Sequence, residues 1–225
     1  MRTAIYIDGF NLYYWLKPTP YRWVDVKALA TNAISSPDRQ HEVVAVKYFT
    51  ARVSDTQDDQ RKAIRQSTYI RALAKQIPEF SVYYGEFRRQ KKSMPRVNYD
   101  GSAGQHVRVW DTEEKGSDVN LAVELVNDAW LKLYEVAIVI SNDSDLERAV
   151  TISKKKGRTI GVLVRGDAMV NSLRRSASFY KPLSEADLKK SLLPQEIPDS
   201  NIKIPQEWAD KELMARVRGD NVPQC

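Results

Sequence analysis

Short runs rich in Val, Ile and Ala recur along the chain: Thr3–Ile7 (TAIYI), Glu42–Thr50 (EVVAVKYFT), Val136–Ile140 (VAIVI) and Thr159–Val164 (TIGVLV). Runs of that length, bounded by polar turns, suit strands buried on both faces. Ser81–Phe87 (SVYYGEF) reads as a fifth strand. Between these runs the apolar residues fall at helix spacing. Val24–Ile34 is one such segment, and Asp58–Ile77 is another, with Ile64, Ile70, Leu73 and Ala74 inward and Pro78 as its stop. A third, Asp118–Leu131, places Val119, Ala122, Leu125, Val126 and Ala129 on one side. The fourth, Asp145–Lys156, closes at Gly157 with three lysines in the last turn, where the helix dipole favours cations. Strand and helix thus alternate. That order predicts βαβ units and a three-layer α/β/α fold around a mainly parallel central sheet.

One stretch interrupts the alternation. Arg88 to Asp111 carries the turn signal Asp100-Gly101 and reads as a hairpin or a long loop. Beyond Pro194 the chain becomes polar and punctuated by proline, with a helical candidate at Glu207–Val217. The expected organisation is one domain over residues 1–182 and a C-terminal extension over 183–225.

Composition narrows the function classes. The 225 residues are 42% hydrophobic and 28% charged, which suits a soluble globular chain rather than a disordered one. No apolar run approaches the roughly 20 residues of a membrane span, and no signal-peptide pattern stands at the start. The single cysteine, Cys225, excludes an internal disulfide framework, so a reducing cytoplasm is the expected setting. A net charge of +6 points to an anionic partner, nucleic acid first.

In parallel α/β folds functional groups gather where strands end and helices begin. The first strand runs into Asp8-Gly9-Phe10-Asn11, the fourth into Ser141-Asn142-Asp143-Ser144-Asp145, and Asp118 opens the helix leading to that fourth strand. Each acid has a plainer alternative. Asp8 and Asn11 could cap the next helix, Ser144 and Glu147 fit a capping box, and Asp143 and Asp145 suit a helix dipole. Asp118 shares the stripe of Ala122, Leu125 and Ala129, and an inward carboxylate is costly unless paired or metal-bound. Carboxylates converging on one cleft repel one another until protonated or bridged by a cation. Oxygen-only ligands suit Mg²⁺ or Mn²⁺, which can activate water against a phosphodiester.

The segments IYIDGFNLYY (5–14), EEKGSDVNLAVELV (113–126) and VISNDSDLERAV (139–150) resemble the NYN family of PIN-like nuclease domains, a likeness spanning roughly residues 3–180. The resemblance implies an endoribonuclease acting on single-stranded or structured RNA. It implies Asp8, Asp118, Asp143 and Asp145 as ligands of Mg²⁺ or Mn²⁺, directly or through water. Asn11 and Ser141 would orient a ligand or phosphate, and Lys115 would approach the scissile phosphate or brace the pocket. Glu114 is a further carboxylate, read first as an exposed loop acid. Many similar relatives carry a Cys-x-x-Cys pair in the excursion, and this chain has none there. Arg88, Arg89, Lys91, Lys92 and Arg96, followed by Tyr99, His106 and Trp110, are candidates for RNA contact, with a solvated charge run as the alternative. Arg165 could extend that basic rim.

The competing reading is an RNA- or nucleotide-binding PIN-like module with little or no catalysis. Phosphatases that use Asp-x-Asp after the first strand are disfavoured by Phe10 two residues past Asp8. Self-association stays open at this level.

Overall fold

The computed structural model describes residues 1–36, 40–98, 100–165 and 171–209. Tyr99, Cys225 and all but the first residues of the helical candidate at Glu207–Val217 lie outside them. Among the described residues the elements run β1 (Arg2–Asp8), α1 (Gly9–Leu16), α2 (Val26–Ile34), β2 (Glu42–Ala51), α3 (Lys62–Gln76), β3 (Phe80–Val97), β4 (Ala103–Lys115) and α4 (Ser117–Trp130). The chain continues through β5 (Val136–Ile140), a 3₁₀ turn (Ser144–Leu146), α5 (Glu147–Lys155), β6 (Thr159–Arg165), α6 (Asn171–Ser176), β7 (Phe179–Leu183) and α7 (Glu185–Lys189).

The strands form one sheet in the order β4-β3-β2-β1-β5-β6-β7, parallel throughout except for the β3–β4 hairpin. The expected α/β/α fold is therefore present. β5 is buried at every position and β1 from Thr3 to Asp8, as strands covered on both faces must be. Along β1, Ile5 and Ile7 pack towards α1, α2 and α3, while Ala4 and Tyr6 pack towards α4, α5 and α6. The described part of the expected extension joins the first of these layers, where Leu188, Leu193, Ile197, Ile202 and Trp208 enter the core. Strand order reverses between β1 and β5, the crevice where open α/β sheets place their ligands.

Several expectations need correction. The excursion is the hairpin that the Asp100-Gly101 turn signal allowed, but β3 runs on to Val97, far past Phe87, and pairs with β4 from Glu86↔Lys115 to Val97↔Ala103. Sequence patterning missed its length because its polar, solvated residues lack the apolar signature of buried strands. β7 and α7 were likewise unforeseen, β7 being a half-buried edge strand that carries Pro182. On α3 the inward residues are Tyr69, Ile70, Ala72 and Leu73, while Ile64 and Ala74 are exposed. On α4 the buried stripe is Ser117, Leu121, Leu125, Asp128 and Ala129, and Val119 faces solvent.

A buried charged group fixes α4 on the sheet. Asp128, 3% exposed, accepts from the Tyr6 hydroxyl at 2.5 Å and from Lys47 Nζ at 2.6 Å, and Lys47 also reaches Glu124 at 2.6 Å. Burial pushes the Lys47 ammonium down, but Asp128 and Glu124 outweigh it and hold the group above its ordinary value. The cation and the two carboxylates satisfy one another, as buried charges require.

Candidate active site

The carboxyl ends of β1 and β5 meet the start of α4 around one open cavity of about 590 Å³. Asp8, Asn11, Glu114, Asp118 and Asp143 line it. These residues come from three separate segments, brought together because β1 and β5 are direct neighbours and the hairpin returns the chain to the same edge.

Asp8 is 4% exposed and caps α1, its Oδ1 accepting from Asn11 N at 2.9 Å. Its Oδ2 accepts from Ser141 Oγ at 2.9 Å, and that same Oγ accepts from Asp143 N at 3.1 Å. Asn11 Oδ1 in turn accepts from Asn142 N at 3.2 Å. The ends of β1 and β5 are thus bound together by side chains. Burial pushes the Asp8 carboxyl up, opposed by the hydrogen bonds from Asn11 and Ser141, with Asp143 adding to the rise. Cap and site coincide here: Asp8 satisfies a helix start while its carboxylate faces the cavity.

Asp118, half-buried in the first turn of α4, is pushed up to about 6. Burial is the largest cause, followed by Asp8, Asp143, Glu114 and Asp145, all carboxylates. Glu114 is half-buried rather than a plain exposed loop acid, and it accepts from Ser117 N at 3.1 Å. Gly85 on β3 makes that placement feasible, since a Cβ there would stand 2.5 Å from Glu114 Oε1 and 2.6 Å from Lys115 O. The turn into α4 passes through Gly116 at φ 98°, a left-handed conformation that glycine adopts without strain.

The other expected residues are placed differently. Asp145 is exposed at the rim, outside the lining, and its backbone N–H donates to Asp143 Oδ1 at 2.9 Å. The Ser144–Glu147 capping box does not form, because Asp143 caps the 3₁₀ turn and α5 starts only at Glu147. Lys115 is turned to Glu113 at 3.0 Å, away from the cavity. Arg165 lines the cavity. Sequence reasoning gave no role to Thr112, Ser117 and Asn142, which also line it. Only their adjacency to the acidic motifs could have signalled them.

The donor set is all oxygen. Ser117 Oγ and Asn142 Oδ1 are buried with no hydrogen-bond partner among the described residues, so the cavity wall carries oxygen acceptors in need of a partner. Among the described residues no three acidic, His or Cys side chains stand close enough to close directly on one ion. The all-oxygen lining is of the kind that suits a hydrated divalent ion, since Mg²⁺ keeps several waters and takes one or two carboxylates.

Strand alternation divides the hairpin into two faces. Phe87, Thr112 and Glu114, which line the acidic cavity, share a face with Arg89, Lys91 and Trp110. Arg89 and Lys91 stand over the Trp110 ring at 4.4 and 5.0 Å. Lys92 lies on the opposite face, held by Asp111 at 2.5 Å and by Glu113, and Arg88 on that face is 3.9 Å from Glu86. The basic candidates therefore do not form one surface.

A second, narrower cavity of about 130 Å³ lies on the other side of Phe10, Tyr14 and Phe87, which line both. Its walls include Tyr48, Tyr69 and Trp208.

An acidic cavity at the switch point of a three-layer parallel sheet is the arrangement of a PIN-like domain. The NYN domain model matches residues 2–184, and the chain belongs to this family of PIN-like nuclease domains. It is also similar to 6-hydroxy-3-succinoylpyridine 3-monooxygenase HspA from Pseudomonas putida, 27% identical over 99% of this chain and 80% of that protein. A crystal structure of a protein of unknown function from Vibrio parahaemolyticus shares the fold, with a TM-score of 0.51 and 22% identity over 85% of this chain and 96% of that one. Among the described residues no helix is long and apolar enough to cross a membrane.

Proposed function

We propose that this protein is a metal-dependent endoribonuclease that hydrolyses phosphodiester bonds of single-stranded or structured RNA at the acidic cavity. The observation carrying this reading is that carboxylates from three distant segments line one cavity, where Asp8, Asp143, Glu114 and Asp145 all act to raise the Asp118 carboxyl. A bound Mg²⁺ or Mn²⁺ would supply an activated water and neutralise charge on the phosphate. Asp8, Asp118 and Asp143 would hold the hydrated ion, with Asp145 adding negative charge from the rim. Ser141 and Asn11 fix the Asp8 carboxylate and the Asn142 backbone, and so act as positioning residues. Lys115 braces the hairpin's end through Glu113. Arg89, Lys91 and Arg165 would hold the polyanion beside the cavity. The reading assumes a cytoplasmic protein, in keeping with its lone cysteine.

Cleavage of end-labelled RNA with Mn²⁺, stopped by EDTA and lost in Asp118→Asn, is the expected result. RNA binding without cleavage under the same conditions would favour the non-catalytic module instead.

A second reading is favoured by the similarity to a hydroxypyridine monooxygenase, which spans nearly all of this chain, together with the ring-sized aromatic cavity. Here the chain would act on a pyridine-ring acid, its carboxylate facing Arg22 or Lys62 at the cavity wall. Disappearance of 6-hydroxy-3-succinoylpyridine on incubation with the protein, a reductant and O₂ would support it.

A further inference from the structure

The aromatic cavity is joined to the acidic one by a shared wall. Phe10 and Tyr14 on α1 and Phe87 on β3 line both, and Phe10 packs edge-on against Phe87 with ring centroids 5.6 Å apart. Behind that wall stand Tyr48, Tyr69 and Trp208, with the Tyr69 ring 6.3 Å from Tyr48 and 6.0 Å from Trp208 between centroids. The volume of about 130 Å³ is close to the roughly 150 Å³ of a cavity that accepts benzene, so it admits one six-membered ring.

Its polar groups are few and directed. Gln66 is fixed by its amide, which donates to Ala51 O at 2.9 Å and accepts from Val53 N at 3.1 Å. The Nε of Arg22 is buried without a hydrogen-bond partner among the described residues. Apolar walls with a small number of placed donors and acceptors are the make-up of a site for a planar heterocycle.

We propose that this cavity receives one base of the bound strand, a single-ring pyrimidine, unstacked from its neighbours while the adjoining phosphate lies at the carboxylates. This rests on the phosphodiester reading above and adds to it a base preference set by cavity size. Stacking on aromatic walls recovers what unstacking costs, and a two-ring purine exceeds the space. The hairpin face bearing Arg89, Lys91 and Trp110 then carries the strand on the outer side of Phe87, continuous with the same wall.

The test is an abasic scan on the full chain in EDTA, where nothing is cleaved. Fluorescence anisotropy measures affinity for a series of short oligopyrimidine RNAs, each lacking one base. One position should be sensitive, its loss weakening binding by roughly 5- to 150-fold. Val53→Trp, which puts a bulky ring on the cavity lining, and Phe87→Ala, which removes the shared wall at a partly exposed position, should reduce that sensitivity to about twofold or less. A purine at the sensitive position should bind less well than a pyrimidine. The proposal is overturned if removing any base has the same small effect, or if the sensitivity survives both variants. It is also overturned if free pyridine-3-carboxylate binds in a Val53→Trp-sensitive way while the scan stays flat, which would assign the cavity to a free ring acid. Failure of metal-dependent cleavage with the abasic profile intact would support the cavity assignment while removing the hydrolytic reading.

Discussion

Helix α4 carries a carboxylate near each end, and the two have opposite fates. Asp128, towards its C-terminus, is buried but satisfied from within the chain by Lys47 and the Tyr6 hydroxyl. Asp118, in its first turn, is half-buried among Asp8, Asp143 and Glu114 and has no ion pair among the described residues. A buried acid that the fold neutralises serves the fold. One that the fold surrounds with further acids stays unfavourable until a proton or a cation arrives from solution. The same helix thus separates a structural carboxylate from a candidate catalytic one.

The sharpest way to break this contrast is to neutralise each side in turn. Asp118→Asn should lower the rate of Mn²⁺-dependent RNA cleavage about a thousandfold, a loss of several kcal/mol in transition-state stabilisation, without lowering the denaturation midpoint. Should the variant instead unfold, Asp118 is a structural residue and the contrast collapses. Lys47→Met should do the reverse. It strands Asp128 without its cation and should cost at least about 3 kcal/mol in urea unfolding, while the remaining folded protein keeps its activity.

A divalent ion should tell the two ends apart in a thermal melt. At a hundred times its Kd, Mn²⁺ should stabilise the wild type by about 2.7 kcal/mol and leave Asp118→Asn much less affected. Equal shifts in both proteins would place the ion elsewhere. Smaller still is the pH effect in the metal-free state. The folded-state value of about 6 for Asp118 lies above the ordinary carboxylate range, so the folded form holds its proton more tightly than the unfolded one. Stability from this group is therefore present at low pH and lost as pH rises through the carboxylate range to about 6. Asp118→Asn should be the more stable protein at pH 7, and its advantage should fade below about pH 4.

The least effect belongs to the hairpin, whose two faces repeat the contrast on a smaller scale. Lys92 is neutralised by Asp111 and Glu113, whereas Arg89 and Lys91 rest on Trp110 on the face that continues into the cavity. Replacing Arg89 and Lys91 by alanine should flatten the slope of log affinity against log salt by about 1.4, and replacing Arg88 and Lys92 should change it far less.

Much of this was legible before any fold was known. Alternating apolar runs and helical stripes specified a parallel α/β sheet, because local burial on both faces leaves a periodic mark in the sequence. The acids at the ends of β1 and β5 could be named because strand ends are where such sheets keep their chemistry. The hairpin's extent, the half-buried position of Glu114 and the turning of Lys115 to Glu113 were not legible, since polar residues carry no periodic sign of their partners.

Taken alone, the sequence determined the buried strands and most of the helices around them, and which of those strands end in acids. Only the tertiary structure decided which acid meets a cation. Lys47 lies 81 residues from Asp128, and Ser141 lies 133 residues from Asp8. Pairing of polar side chains over such separations is set by strand order, a property of the packed sheet that no local window of residues contains.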